Sequence, residues 1–159
     1  MIFNVTKDTG IIPHVLTQIL DCCVNGVTLS DPDLEDNPII YANKAFEDIS
    51  GYSRKEILGK NCRFLQKDDR DQEAIKQIRD ALENNTSVEV TLRNYRKSGE
   101  LFYNRLAIKP LFDPQGNVIY FLGLQYDITQ QMSAEKEIEA LNQKLELAIG
   151  QPKAPSDRS

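Results

Sequence analysis

The chain has 159 residues, enough for one domain with an appendage and a hydrophobic core of real size. With 40% hydrophobic and 27% charged residues it is ordinarily globular, and a net charge of −5 without a basic stripe argues against nucleic-acid binding. Three cysteines, two of them the adjacent Cys22 and Cys23, make a poor disulfide framework and point to a reducing compartment.

No apolar run approaches the length of a membrane span, and "MIFNVTKDTG" lacks the charged-then-apolar order of a signal peptide. A cytoplasmic protein without membrane contact is expected. In "PHVLTQILDCC" (13–23), Val15, Leu16, Ile19, Leu20 and Cys23 fall at helical spacing behind Pro13, predicting an amphipathic helix. "GVTLS" (26–30) and "PIIYAN" (38–43) read as strands around the turn-rich "DPDLEDN". "SRKE" (53–56) is a capping box, so a helix should begin after Ser53. Between Asp71 and Glu83, Ile75, Ile78 and Leu82 mark one face of a further helix that "ENNTS" ends.

Three strands come next, at about 87–96, 101–112 and 117–128, joined by the turns "KSGE" and "DPQGN". "QQMSAEKEIEALNQKLELAIG" reads as a helix whose stripe of Ala134, Ile138, Leu141, Leu145 and Ala148 fits a coiled-coil seam. "QPKAPSDRS" has linker composition. The expected divisions are an N-terminal flanking helix region (1–24), a core (25–129), a C-terminal helix (130–150) and a tail (151–159). The fold class is α+β: a five-stranded antiparallel sheet, helices packed on one face, and a flanking helix at each end.

The last three strands hold the most informative pattern, because residues two apart share a face. One row contains Val88, Val90, Leu92 and Asn94; the next Asn104, Leu106 and Ile108; the third Ile119, Phe121, Gly123 and Gln125. Each apolar row thus carries one carboxamide. An unpaired buried amide costs about 1–3 kcal/mol, so these three need partners. They either bond to one another and to buried water, or converge on a ligand edge rich in donors and acceptors. Gly123 removes a side chain where a flat ring could approach the sheet. Arg63 and Arg79 are either solvated surface charges or a pair of guanidinium forks for a phosphate.

"GKNCRFLQ" (59–66), within "DNPIIYANKAFEDISGYSRKEILGKNCRFLQ" (36–66), resembles the signature of the LOV (light, oxygen or voltage) branch of the PAS domains. The similarity runs from about Val24 through "GLQYDIT" (123–129). It implies a blue-light photoreceptor, not an enzyme, with non-covalently bound flavin mononucleotide (FMN) and a reversible light-driven bond between a cysteine and the flavin C4a carbon. By position, Cys62 would form that bond. Arg63 and Arg79 would grip the phosphate, and Asn61 and Gln66 would contact the ribityl chain or phosphate. Asn94 and Asn104 would read the polar edge of the ring, and Gln125 would face its O4 and N5. Phe46, Leu65, Leu106, Ile108 and Phe121 would form apolar walls; Leu106 stands where many relatives carry phenylalanine. The outer face of the last three strands is also apolar, with Tyr103, Ala107, Val118, Tyr120, Leu122, Leu124 and Tyr126. That face and the terminal helices imply a homodimer, and the C-terminal helix points to a downstream output domain such as a histidine kinase or cyclic-dinucleotide enzyme.

A cysteine-nucleophile enzyme would need a base near the thiol, and the single histidine, His14, lies in the first helix. A metal site built from His14, Cys22, Cys23 and Cys62 has no recognisable ligand spacing, so no metal is expected. Cys22 and Cys23 read as small helix residues at a core or interface. The remaining alternative is a PAS module that senses redox state through flavin, or only dimerises, which would not need a thiol at position 62.

Overall fold

The computed structural model describes residues 11–150, and the chain divides into two compact units between Asp127 and Ile128. The first unit opens with α1 (Ile11–Asp21), then β1 (Gly26–Ser30), β2 (Ile39–Ala42), α2 (Lys44–Ser50) and α3 (Arg54–Ile57). A short 3-10 helix (Cys62–Gln66), α4 (Glu73–Glu83) and the long strands β3 (Val88–Tyr95), β4 (Leu101–Phe112) and β5 (Val118–Asp127) complete it. The five strands form one sheet in the order β2-β1-β5-β4-β3, antiparallel at every pairing. The last strand of the chain therefore inserts beside the first, so that β1 and β4 flank β5.

Local chemistry accounts for the helix starts. Ser53 and Glu56 exchange bonds in a complete capping box at the head of α3. Asn43 caps α2, its Oδ1 accepting from Phe46 N at 3.1 Å and Val27 N at 2.8 Å. Its Nδ2 donates to Leu20 O at 2.8 Å and Asn25 O at 3.0 Å, so one fully buried amide ties α1, β1 and α2 together. α2 ends at Gly51, whose φ of +76° is open to glycine at little cost.

Two apolar clusters hold the helical segments against the sheet. Ile39, Ala42, Phe46, Ile57 and Leu65 pack together, each lying almost wholly out of water. Val90, Leu92 and Leu106 of the sheet pack under Ile75 and Ile78 of the predicted apolar face of α4, and under Ala74 beside them. Full burial of a side chain such as Phe46 or Ile57 contributes about 1.5–3 kcal/mol.

Three expectations need correction. α1 ends at Asp21, and Cys22 and Cys23 lie exposed in the turn beyond it, not on a helix at a core. The stripe of Val15, Leu16 and Ile19 is also exposed; the C-terminal end of α1 is what is secured, through Leu20 O to Asn43 and Asp21 Oδ1 to Arg54. Ile119 leaves the inner row, because the register shifts between Leu111 and Phe112 and the alternation restarts at Phe121.

The second unit is α5 (Thr129–Ile149), which buries none of its residues; Ile138, Leu141 and Leu145 are each 58% exposed. Among the described residues no helix is long and apolar enough to cross a membrane.

Candidate functional site

A cavity of about 370 Å³ lies between the inner face of the sheet and the helical segment that runs from Asn61 through α4. This is within the size range of small-molecule sites. The sheet contributes Asn94, Asn104, Leu106, Ile108, Phe121 and Gln125, which the strand register sets side by side: Leu106 pairs with Gln125, and Leu92 with Asn104. Opposite them stand Asn61, Cys62, Arg63, Leu65 and Gln66 from the 3-10 helix and its cap. Arg79 reaches the same cavity from α4.

The three amides are buried, with Asn94 and Asn104 each 2% and Gln125 1% exposed. They do bond in part to protein: Asn104 Nδ2 donates to Asn94 Oδ1 at 3.0 Å, Asn94 Nδ2 to Arg93 O at 3.0 Å, and Gln125 Nε2 to Thr28 Oγ1 at 3.2 Å. Yet Asn104 Oδ1 and Gln125 Oε1 have no hydrogen-bond partner, nor does Asn37 Oδ1 on the same cavity. Burying such acceptors unsatisfied is costly, and a bound group offering N–H or O–H donors removes the cost.

Cys62 begins the 3-10 helix because Asn61 caps it, Oδ1 accepting from Arg63 N at 3.0 Å while Nδ2 donates to Asp36 O at 2.7 Å. The thiol lines the cavity, and burial pushes it up to about 12. That favours the neutral S–H over a thiolate at neutral pH, and the single histidine, His14, lies in α1 and does not line the cavity.

The cations lie exposed at the rim. Arg63 is paired with Asp36, a partner that sequence spacing did not reveal, whereas Arg79 has no ion pair among the described residues. Arg70 lines the cavity as well, its Nε bonded to Lys67 O at 3.0 Å. Sequence reasoning missed Arg70, Thr28, Ser30 and Asn37; a third arginine near the "CRFLQ" segment and the alternation of β1 were the available signals. Phe46 does not line the cavity. It is 1% exposed within the adjoining core cluster, since α2 packs over the β1–β2 hairpin and turns its buried face there.

The residues present fit a planar ligand with a polar edge and an anionic tail: orphaned amide oxygens on one wall, aliphatic side chains on both, and arginines at the rim.

Comparison with known proteins identifies the family. A family model described as a PAS domain matches residues 24–130. A blue-light photoreceptor of Listeria monocytogenes is 42% identical over 125 residues, 79% of this chain and 49% of that protein. The chain thus spans about half the length of the curated relatives it matches first. The LOV domain of a blue-light activated histidine kinase from Erythrobacter litoralis superposes with a TM-score of 0.63 at 42% identity, over 66% of this chain and 96% of that one. An RNA-binding light-oxygen-voltage receptor superposes with a TM-score of 0.77 at 30% identity, over 95% of this chain and 42% of that one.

Proposed function

The chain belongs to the LOV branch of the PAS domains and is a blue-light sensory domain; on that premise we propose that it binds FMN non-covalently and uses Cys62 as the light-driven reaction partner. The observation that carries this reading is the pair of unpartnered oxygens, Asn104 Oδ1 and Gln125 Oε1, buried on the cavity that Cys62 also lines. When bound, the flavin would supply blue-light absorption, a ring carbon (C4a) open to the Cys62 sulfur and a ring nitrogen (N5) able to take the thiol proton.

The rest is done by the protein. Cys62 holds its proton until light acts, because desolvation keeps the thiol neutral. Asn94 and Asn104, already bonded to each other, present a fixed pattern of acceptor and donor to the ring's polar edge. Gln125 offers an N–H or an oxygen to the O4 and N5 side, whichever that side requires, by turning its carboxamide over. Arg63 and Arg79, with Arg70 beside them, hold the phosphate, and Asn61 and Gln66 face the ribityl chain. Leu65, Leu106, Ile108 and Phe121 exclude water from the reacting face.

Gln125 lies two residues before the end of β5, and α5 begins at Thr129. A change at Gln125 therefore has a short covalent route to that helix. The exposed Ile138, Leu141 and Leu145 stripe and the sheet's outer face suit a homodimer, and a histidine kinase or cyclic-dinucleotide enzyme is the expected class of output. The setting of such signalling is cytoplasmic. A flavin-based redox or dimerisation module is the competing reading, and the thiol on the cavity wall favours photochemistry over it.

Illumination tests the proposal. The purified protein, reconstituted with FMN if needed, should bleach under blue light and recover in darkness, and Cys62→Ala should do neither. A loaded wild type that never bleaches overturns the reading.

A further inference from the structure

Gln125 shares its amide with a side chain from another strand. Its Nε2 donates to Thr28 Oγ1 at 3.2 Å, and both residues are buried, at 1% and 4% exposure. Thr28 lines the cavity and pairs across β1 and β5 with Gly123. A Cβ added to Gly123 would stand 2.5 Å from Thr28 Oγ1 and 3.0 Å from Gln125 Nε2. The space that the glycine leaves is thus already taken by this hydroxyl and amide. On the other side of Gln125, the position a Cβ on Gly26 would occupy lies 3.2 Å from Gln125 Oε1 and 3.3 Å from a ring carbon of Phe46. The carboxamide sits in a close corner in which Thr28 is the polar side chain bonded to it.

A hydroxyl differs from an apolar group of the same shape in one respect that matters here: it both accepts and donates, and its proton rotates freely. A carboxamide turning over in an apolar corner gives up its partners with nothing in exchange, and each orphaned group raises the barrier. Beside a threonine, the amide keeps a partner through the turn. We propose that Thr28 is a positioning residue for Gln125, accepting from Nε2 in one orientation of the carboxamide and donating to Oε1 in the other. It thereby speeds exchange between the two orientations and, with it, recovery in darkness. This rests on the flavin reading above, in which Gln125 must re-pair.

The test compares the flavin-loaded, ¹⁵N-labelled full chain with Thr28→Val, Thr28→Ala and Thr28→Ser, Gln125→Leu serving to assign the side-chain NH₂ resonances of Gln125. Both hydroxyl-free variants should shift those resonances in the dark protein and slow dark recovery by about threefold to tenfold, the worth of one hydrogen bond. Thr28→Ser should restore both. Resonances unmoved in Thr28→Val and Thr28→Ala, or recovery within about twofold of wild type in both, would overturn the proposal. A wild type that does not bleach would count against the flavin reading instead, and the dark NH₂ resonances alone would then decide the role of Thr28.

Discussion

Asn104 donates its Nδ2–H to Asn94 Oδ1 across the β3–β4 pair at 3.0 Å, and its own Oδ1 is left without a partner on the cavity wall. Such an arrangement serves a ligand better than it serves the fold. Replacing both partners of a buried hydrogen bond by apolar groups of similar shape is close to neutral for stability. The double variant Asn94→Leu/Asn104→Leu should therefore unfold at the same denaturant concentration as wild type, or a higher one, when free of flavin. Its flavin affinity, measured by fluorescence titration, should fall about tenfold or more. Loss of stability with affinity intact would mean that the pair is structural.

Cys62 makes alkaline stability a test of its environment. Its folded value, pushed up to about 12 by burial, stands above the ordinary value of 9.0. The unfolded chain then releases the thiol proton first, so stability is full below about 9 and is lost as pH rises towards 12. Denaturant melts at rising pH should show wild type losing more stability than Cys62→Ser, which has no thiol to titrate. Parallel loss in the two proteins would contradict a desolvated, neutral thiol.

Asp69 ties the segment beyond the 3-10 helix to β3. Arg93 grips it through Nε and a terminal nitrogen, both at 2.8 Å, and Tyr95 OH adds a bond at 2.9 Å. These donors, the Arg93 guanidinium foremost, hold the Asp69 carboxyl down at about 2, against an ordinary 3.8. The stability that this grip contributes is present above the ordinary value and is lost as pH falls through about 2. Asp69→Asn should melt below wild type at neutral pH, with the gap closing in acid. A gap that is constant with pH would remove the charge from the explanation.

Lys67 closes the 3-10 helix at φ +48°, ψ −124°, a conformation suited to glycine. Lys67→Gly should raise the unfolding free energy by about 1 kcal/mol, read from the denaturant midpoint. An unchanged or lowered midpoint would show that the lysine is not strained.

Much of the fold was legible before the structure because each element carried two signals. The long strands had alternation plus glycine- or proline-bearing turns, and α3 had its capping box from Ser53 to Glu56. The amide rows were legible for the same reason, and Asn94, Asn104 and Gln125 share the cavity. What was not legible depended on residues far apart in the chain. The pairing of Arg63 with Asp36, the bond between Thr28 and Gln125, and the position of Phe46 behind the cavity come from tertiary register that no local period encodes. The early end of α1 depends likewise on Asn43 capturing the carbonyl of Leu20.

The most direct test tracks the thiol itself. Light-minus-dark infrared difference spectra of the flavin-loaded protein should show one S–H stretching band lost on illumination and regained in darkness, and Cys62→Ser should lack it. Flavin bleaching with every S–H band unchanged would contradict the claim that Cys62 is the light-driven reaction partner.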